Sequence, residues 1–474
     1  VRVRAYPSSK DLFLYPRSVV FVGVPRQSGP GFLNPIDNLM NWGFQGKIHL
    51  VHPHAREIAG IPTVEGVSLL DGPVDLAVVS APRETAPEIV AQCAQKGIRA
   101  IIVTNQGFGD ADSRGRELQT LAVEEAKRGG ARLLGPNTLG VLNAFHRFTT
   151  SFMPLERQEL PIGVICQSGV FMVDARHLTG GMGIGVDIAN GCDVDLVDAL
   201  DWIGSEAAIR VVAVHAEGIP KGGPFLKTAA QISKTKPIVA LKTGRSSRGA
   251  KAAISHTGSL CGEDGIADAA LRMAGVLRVD ETQDMADLVG GLLVLPPMRG
   301  PRVAIVTFTG GGGIITLDLM ERWGIEPASL TAPTLDALRE LSPPWLPAGN
   351  PMDIWPALMK HGMQRVYSLT LKAALMDPHV DGVLCVALGL PPEQRARLDA
   401  IQVIQGLSEE FDKPVVVWLY GQEAEEARSR LAERGRAFGV PTLERGVRLL
   451  AYMSRYDGWR QAPSRGPDHS PFSQ

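Results

Sequence analysis

Ser255-His256-Thr257-Gly258-Ser259 is the stretch of this chain best equipped for chemistry. It lies in a small-residue segment from Gly244 to Gly262, read as a loop. An apolar run from Lys236 to Lys242 precedes it, and a helical pattern from about Asp264 follows. A histidine among Gly, Ala and Ser has little apolar surface to pack against. Unprotonated imidazole is a competent nucleophile near neutral pH. Flanking hydroxyls and backbone N–H groups hold phosphate. His256 therefore reads as the acceptor of a phosphoryl group, with Ser255, Thr257 and Gly258 as phosphate contacts. A solvated loop histidine accounts for the pentapeptide alone about equally well.

Other residues supply the parts such a histidine would need. Glu217 ends a buried-looking strand, at the edge where open α/β sheets bind ligands. Its carboxylate there would accept a hydrogen bond from one ring nitrogen of His256, although a solvated turn glutamate fits as well. Gln167-Ser168-Gly169 lies where a strand becomes a helix, and free N–H groups at a helix start attract anions. A serine N-cap explains the same residues without a ligand. Gly310 to Gly313 cost chain entropy, which points to a loop that something approaches closely. Asn190 with Asp193, and Asn350 with Asp353, are polar pairs that Asx turns explain more often than catalysis does. Near the front, Gly23 opens Pro25-Arg26-Gln27-Ser28-Gly29-Pro30-Gly31. This is similar to a phosphate-binding turn, but an ordinary strand-to-helix loop fits equally. The second strand runs into His52-Pro53-His54, without the acidic residue that binds a ribose diol, which disfavours NAD. Trp345 and Trp355 would face a bulky acyl group or, as tryptophans more often do, pack in a core.

These residues are carried by β-branched runs alternating with amphipathic segments. Strands are expected over 18–22, 47–51, 76–80, 100–104, 162–166, 211–216, 237–242, 302–307, 382–387 and 414–419. Helices are expected over 87–96, 117–128 and 423–434. Runs apolar on both faces, separated by helices, predict buried parallel strands. The middle and last thirds share four landmarks in one order. Each has a strand running into a small-residue turn, then a central apolar strand ending in Gly. A Lys-Pro strand follows (Lys236-Pro237, Lys413-Pro414), and then a Gly-Val piece.

The chain has 474 residues, 48 basic against 50 acidic, and 45% hydrophobic residues. That balance speaks against a nucleic-acid partner. The five cysteines are scattered without C-x-x-C spacing, so neither a disulfide framework nor a metal site is predicted. No apolar run approaches a membrane span, and a cytoplasmic location is expected.

Together the motifs resemble the α subunit of NDP-forming (ADP-forming) acyl-CoA synthetases, a family related to the succinyl-CoA synthetase α subunit. The similarity runs from about Leu14 to about Tyr456. Its most specific element is Ala253 to Leu260, which looks like the family's phosphohistidine loop. Gly135-Pro136-Asn137 with Gly140, Gln167-Ser168-Gly169, Asn190 with Asp193-Val194-Asp195, Glu217-Gly218, Lys242, and Asn350 with Asp353 also match. The resemblance implies an α/β chain of three consecutive Rossmann-like or flavodoxin-like domains with parallel sheets. A CoA-binding domain would span 1–148, a ligase-like domain with the phosphohistidine loop 149–298, and a second ligase-like domain 299–460. A disordered tail, 461–474, would follow. It implies that acid, CoA and ATP interconvert with acyl-CoA, ADP and phosphate through an acyl phosphate and phosphohistidine. His256 would be the carrier, Glu217 its support, and Gln167, Ser168 and Gly169 a phosphate site. Gly23, Pro25, Arg26, Gln27, Ser28, Pro53, Ser80, Ala81, Pro82 and Asn137 would lie near CoA.

Some residues depart from the family pattern. His52-Pro53-His54 stands where Asn-Pro-Lys is usual, and losing that lysine would weaken phosphate contacts to CoA. Thr138 replaces a cysteine, and Phe308-Thr309-Gly310-Gly311-Gly312-Gly313 replaces Asn-Ala-Gly-Gly-Pro-Gly. No ATP-grasp region is found. A separate ATP-grasp β subunit carrying ATP, ADP and Mg2+ is therefore expected, in an α2β2-type complex. Two other readings are a non-catalytic CoA-sensing module and a nicotinamide-dependent oxidoreductase.

Overall fold

A computed structural model describes residues 8–257 and 263–461, without the side chains of 253–257, 396 and 397. Gly258 and the tail from residue 462 lie outside the described residues. The chain forms two compact units that meet in sequence between Met285 and Ala286.

The first unit holds two sheets. In one, strand Ser18–Val22 lies between Lys47–Val51 and Leu76–Val79, and Ala100–Val103 and Arg132–Leu134 extend it, all parallel. A short antiparallel pair, Glu57–Ile58 with Ile61–Val64, closes the other edge. In the second sheet, Ile162–Cys166 lies between Val211–Ala216 and Ile184–Asp187, and Ile238–Lys242 and Val276–Val279 continue in parallel. Gly140–Asn143 and Phe148–Thr149 add an antiparallel edge. The central strands are buried on both faces, as their continuous apolar runs require.

One apolar core runs from Leu12 through Phe21 and Ile102 to Ile165, Val214 and Ile238, so it spans both sheets. Polar ties reinforce it. Tyr15 Oη donates to Glu206 at 2.6 Å, Asn143 Nδ2 donates to Leu14 O at 3.0 Å, and Arg132 pairs with Asp193 and Asp198.

In the second unit Arg302–Thr307 pairs with Gly382–Leu388, followed by Val415–Tyr420 and Ala437–Val440. This adjacency repeats that of Ile162–Cys166, Val211–Ala216, Ile238–Lys242 and Val276–Val279 in the second sheet. The sequence repeat is thus a repeat of strand order.

Cys93, Cys166 and Cys385 are buried and Cys192 is half-buried, none in a disulfide. Burial raises all four thiols, Cys93 and Cys192 to about 12. Among the described residues no helix is long and apolar enough to cross a membrane.

Ile184–Asp187, hidden in the sequence by two glycines and an aspartate, ends on a buried carboxylate. Asp187 accepts N–H groups from Leu139 at 2.8 Å and Ala189 at 3.2 Å, which binds the antiparallel edge to the sheet centre. Burial raises its pKa from 3.8 to about 6, and the hydrogen bonds only partly oppose this. The protonated form is favoured in the fold. This group's stabilisation is therefore full below about pH 4 and is lost as pH rises through about 6. Relative to Asp187→Asn, the wild-type chain should lose roughly 3 kcal/mol between about pH 4 and pH 8. Urea unfolding of both proteins across that range measures it; parallel pH curves would refute it.

Candidate active site

Strands Ile162–Cys166, Val211–Ala216 and Ile238–Lys242 lie side by side and point the same way. Beyond their C-terminal ends the backbone loses its ladder partners, and side chains take over. Gln167 is 4% exposed. Its Oε1 accepts the N–H of Glu217 at 2.6 Å and that of Gly218 at 3.1 Å. Lys242, equally buried, donates from Nζ to the carbonyls of Glu217 and Thr243, both at 2.6 Å. The peptide groups of Glu217 are thus gripped from two neighbouring strands, and the buried carboxylate springs from a fixed point.

His215 lies in the strand that leads to Glu217. Its ring stacks on Phe171 at 4.2 Å, and Nε2 lies 3.2 Å from Thr243 Oγ1. Burial, then the Lys242 ammonium, lowers its pKa to about 4, so it is neutral at pH 7. The sequence reading passed over it. The available signal was a histidine inside the apolar strand Val-Val-Ala-Val-His-Ala.

Ser168 and Gly169 follow Gln167 at the strand end. A Cβ on Gly169 would come within 2.8 Å of the end of the Leu139 side chain, which would have to shift to admit it. The expected helix is a single turn, Val170–Val173, then a second, Ala175–Leu178, broken at Asp174. The potential of a long helix is therefore not available here. What the turn offers an anion is local N–H groups.

The segment expected to be a loop around His256 is helical over Ser247–Thr257. Ser246 starts it: its Oγ accepts the Gly249 N–H at 3.0 Å, and its carbonyl accepts the Ala250 N–H at 2.8 Å. Ala250, Ala252 and Ala253 are small but are the strongest helix formers. Reading them as loop residues was the error. Ser255, His256 and Thr257 occupy the last turn; their side chains, and all of Gly258, lie outside the described residues.

On the first sheet, Gly23 adopts φ +79°, and a Cβ there would meet Ser80 O at 2.8 Å. Only glycine lets these two loops approach so closely. Asn34 Nδ2 donates to the carbonyls of Pro25 and Gln27, both at 3.0 Å, and shapes the loop that exposes Pro25, Arg26 and Gln27 and half-buries Ser28. Pro53 and Pro82 are exposed, Ala81 is buried, and Ser80 Oγ lies 2.8 Å from Thr104 Oγ1. Asn137 has φ +66° and donates its N–H to Asn105 O at 2.9 Å.

In the second unit Gly310–Gly313 form the first turn of helix Gly310–Trp323, capped by Thr309, and not a loop. A Cβ on Gly313 would meet Pro351 at 3.1 Å, and one on Gly312 would meet Thr309 at 3.0 Å. The close approach inferred for the run is thus internal at these two positions. Asn350 is not in an Asx turn. Its Oδ1 accepts Ile305 N–H at 2.9 Å, and its Nδ2 donates to Val303 O and Ala328 O. Asp193 accepts the Leu133 N–H, and Asn190 donates to Asp110 and Gln119, both long-range ties. Asp353 alone makes the local bond, to the Trp355 N–H at 3.1 Å, beside Gly310. Trp345 and Trp355 are 72% and 51% exposed, so neither is a core residue.

Comparison with known proteins covers the chain in three pieces. Residues 17–144 match a CoA binding domain, 160–292 a succinyl-CoA ligase like flavodoxin domain, and 303–464 a ligase-CoA domain. The acetate–CoA ligase [ADP-forming] I subunit alpha of Pyrococcus furiosus is 31% identical over 471 residues, covering 95% of this chain and 98% of that one. The chain belongs to the family of ADP-forming acyl-CoA synthetase α subunits. The acetate–CoA ligase [ADP-forming] II of Archaeoglobus fulgidus is 36% identical over 390 residues. The match covers 80% of this chain but only 57% of that protein's length. The dinucleotide forming acetyl-coenzyme A synthetase 1 of Ca. Korarchaeum cryptofilum, solved with phosphate and ADP, superposes with a TM-score of 0.82. It is 29% identical, and the overlap covers 96% of this chain and 97% of that one.

Against the family pattern, the exchange at Thr138 falls on a buried residue whose Oγ1 accepts the Gly140 N–H at 2.7 Å and donates to Asp187 O. This threonine ties strand Ile184–Asp187 to its neighbour Gly140–Asn143. Gln167→Ala removes the acceptor of two buried N–H groups and should lower stability by roughly 2–4 kcal/mol. Gln167→Glu, which keeps an oxygen in place, should recover part of the loss in the same urea titration. Equal stability of wild type and Gln167→Ala would show that the amide is not what holds Glu217.

Proposed function

We propose that this chain is the α part of an acid–CoA ligase (ADP-forming), in which acid, CoA and ATP interconvert with acyl-CoA, ADP and phosphate. The observation that carries the reading is the grip of Gln167 and Lys242 on Glu217, one strand away from the segment that bears His256. That arrangement fixes a buried glutamate at the strand end, which suits a histidine that carries phosphate.

His256 attacks the phosphorus of an acyl phosphate on this reading. The P–O bond to the acyl group breaks and the carboxylate leaves as the free acid. Glu217 accepts the N–H of the other ring nitrogen and stabilises the charge that develops on the imidazole. Gln167, Ser168, Gly169, Ser255, Thr257 and Gly258 surround the phosphoryl oxygens. His215, neutral and buried, supports Glu217 and does not compete for phosphate.

On this reading CoA binding falls to 1–148, phosphohistidine chemistry to 149–298 and a second ligase-like part to 299–460, a division that the three matched pieces support. CoA lies along Gly23 to Ser28, Pro53, Ser80 to Pro82 and Asn137. In the third part Gly310, Gly311 and Asp353 remain the candidate functional residues, while Gly312, Gly313 and Asn350 hold its shape. Nucleotide and Mg2+ belong to an ATP-grasp β partner in an α2β2-type cytoplasmic complex, so no residue of this chain is assigned to them.

Intact-mass analysis at neutral to alkaline pH tests the reading, because phosphohistidine is lost in acid. Incubation with acyl phosphates of several acids should add one phosphoryl group to the wild-type chain and none to His256→Ala. Glu217→Gln should slow the gain by roughly 100-fold, the scale of losing a group that orients a catalytic histidine. No gain with any acid, even with an ATP-grasp partner and ATP added, would favour a non-catalytic CoA-sensing module.

A further inference from the structure

We propose that Arg245, Asp264 and Arg278 are positioning residues for the phosphoryl transfer, an ion-paired clasp that closes the stretch bearing His256 at its base. This assignment rests on the phosphohistidine reading above. Strands Ile238–Lys242 and Val276–Val279 are parallel neighbours, and helix Asp264–Met273 packs against the second of them. That helix alone would complete the crossover between the two strands. Helix Ser247–Thr257, with His256 in its last turn, is an addition to it. The added stretch leaves the sheet after Lys242 and rejoins the crossover at Asp264.

The leaving end is tied to Glu217. Lys242 Nζ donates to the Glu217 carbonyl at 2.6 Å, and Arg245 stands three residues further on. Arg245 reaches across to the returning end. Its Nε lies 3.7 Å from Asp264 Oδ2, and its Nη1 lies 2.7 Å from Asp280 Oδ1, just past the neighbouring strand. Arg278, opposite Ala240 in the sheet, holds Asp264 from the other side. Its Nη2 donates to Asp264 Oδ1 at 2.5 Å and its Nη1 to the Asp264 carbonyl at 3.2 Å. Nη1 also lies 3.6 Å from Asp268. One carboxylate, Asp264, is thus shared between an arginine of the leaving end and an arginine of the sheet.

Stability does not account for this arrangement. The Arg278 side chain is 5% exposed, and its Nε meets no acceptor among the described residues. Burying a guanidinium costs desolvation that an apolar side chain avoids. Arg245 is exposed and Asp264 half-buried, and pairs of that kind contribute little. What the three residues supply is geometry. The two ends of the stretch are pinned to each other and, through Lys242, to Glu217. A tethered group confined in this way has a higher effective concentration at its partner than one on an open chain.

A time course of phosphoryl gain by intact mass, taken across acyl phosphate concentrations, tests the clasp in the full chain. Arg245→Gln and Asp264→Asn should each lower the saturated rate by roughly 10- to 100-fold, the scale on which misplacing a reacting group acts. The half-saturating concentration should stay as in wild type. Arg245→Lys, which keeps the charge, should recover most of the rate. Arg272→Gln, which removes an ion pair within helix Asp264–Met273, should react as wild type. Added salt should slow the wild type towards the Arg245→Gln rate and leave that variant unchanged, because exposed charges are screened. Arg278→Met should slow the reaction as well; because Arg245 is exposed, Arg245→Gln carries the test should Arg278→Met fail to fold. Wild-type saturated rates in Arg245→Gln and Asp264→Asn, with at most a lower urea midpoint, would overturn the proposal alone. No phosphoryl gain by the wild-type chain, with or without an ATP-grasp partner, would remove the phosphohistidine reading and the proposal together.

Discussion

Parallel strands that stop in step leave a row of backbone donors and acceptors with nothing to pair with, and this chain is organised around that constraint. An unpaired N–H or carbonyl in a buried place costs free energy on the scale of a lost hydrogen bond. Gln167 answers for two such donors, Lys242 for two carbonyls, Asn350 for one donor and two carbonyls, and Asp187 for two donors. Each is a polar side chain buried or half-buried at or near a sheet edge. The groups proposed to react stand on backbone that these side chains have already settled.

The same economy bears on the role proposed for Glu217. Its backbone N–H and carbonyl are both held by buried side chains, so its position on the sheet is set through its peptide groups. His215 illustrates the opposite arrangement. Stacked on Phe171, deprived of water and next to an ammonium, it gives up its charge and becomes part of the wall.

What was legible in the sequence was what local pattern determines. Val-Val-Ala-Val-His-Ala and Ile-Val-Ala-Leu-Lys are apolar on both faces, and they are buried parallel strands. Four landmarks shared by two thirds of the chain became a shared strand order. The errors came from residues whose size suggested one thing and whose backbone preference dictated another. The alanines around His256, small enough to suggest a loop, wind a helix, and the glycines at 310–313, expected as a loop, start one. Ile-Gly-Val-Asp did not look like a strand because its stability comes from Asp187 bonding to Leu139, 48 positions away. The grip on Glu217 was equally invisible, since Gln167 precedes it by 50 positions. Bonds of that span depend on topology, which no window along the chain contains.

Burial of the cysteines has a chemical consequence for a protein that handles a thiol. Cys93, Cys166, Cys192 and Cys385 are held as thiols far above neutral pH, and so supply almost no thiolate. Thiolate is the species that exchanges with disulfides and captures acyl groups from thioesters. On the ligase reading, these four sulfurs neither trap an oxidised CoA as a mixed disulfide nor divert an activated acyl group onto the protein. None of these four competes with the sulfur of the substrate for the acyl group.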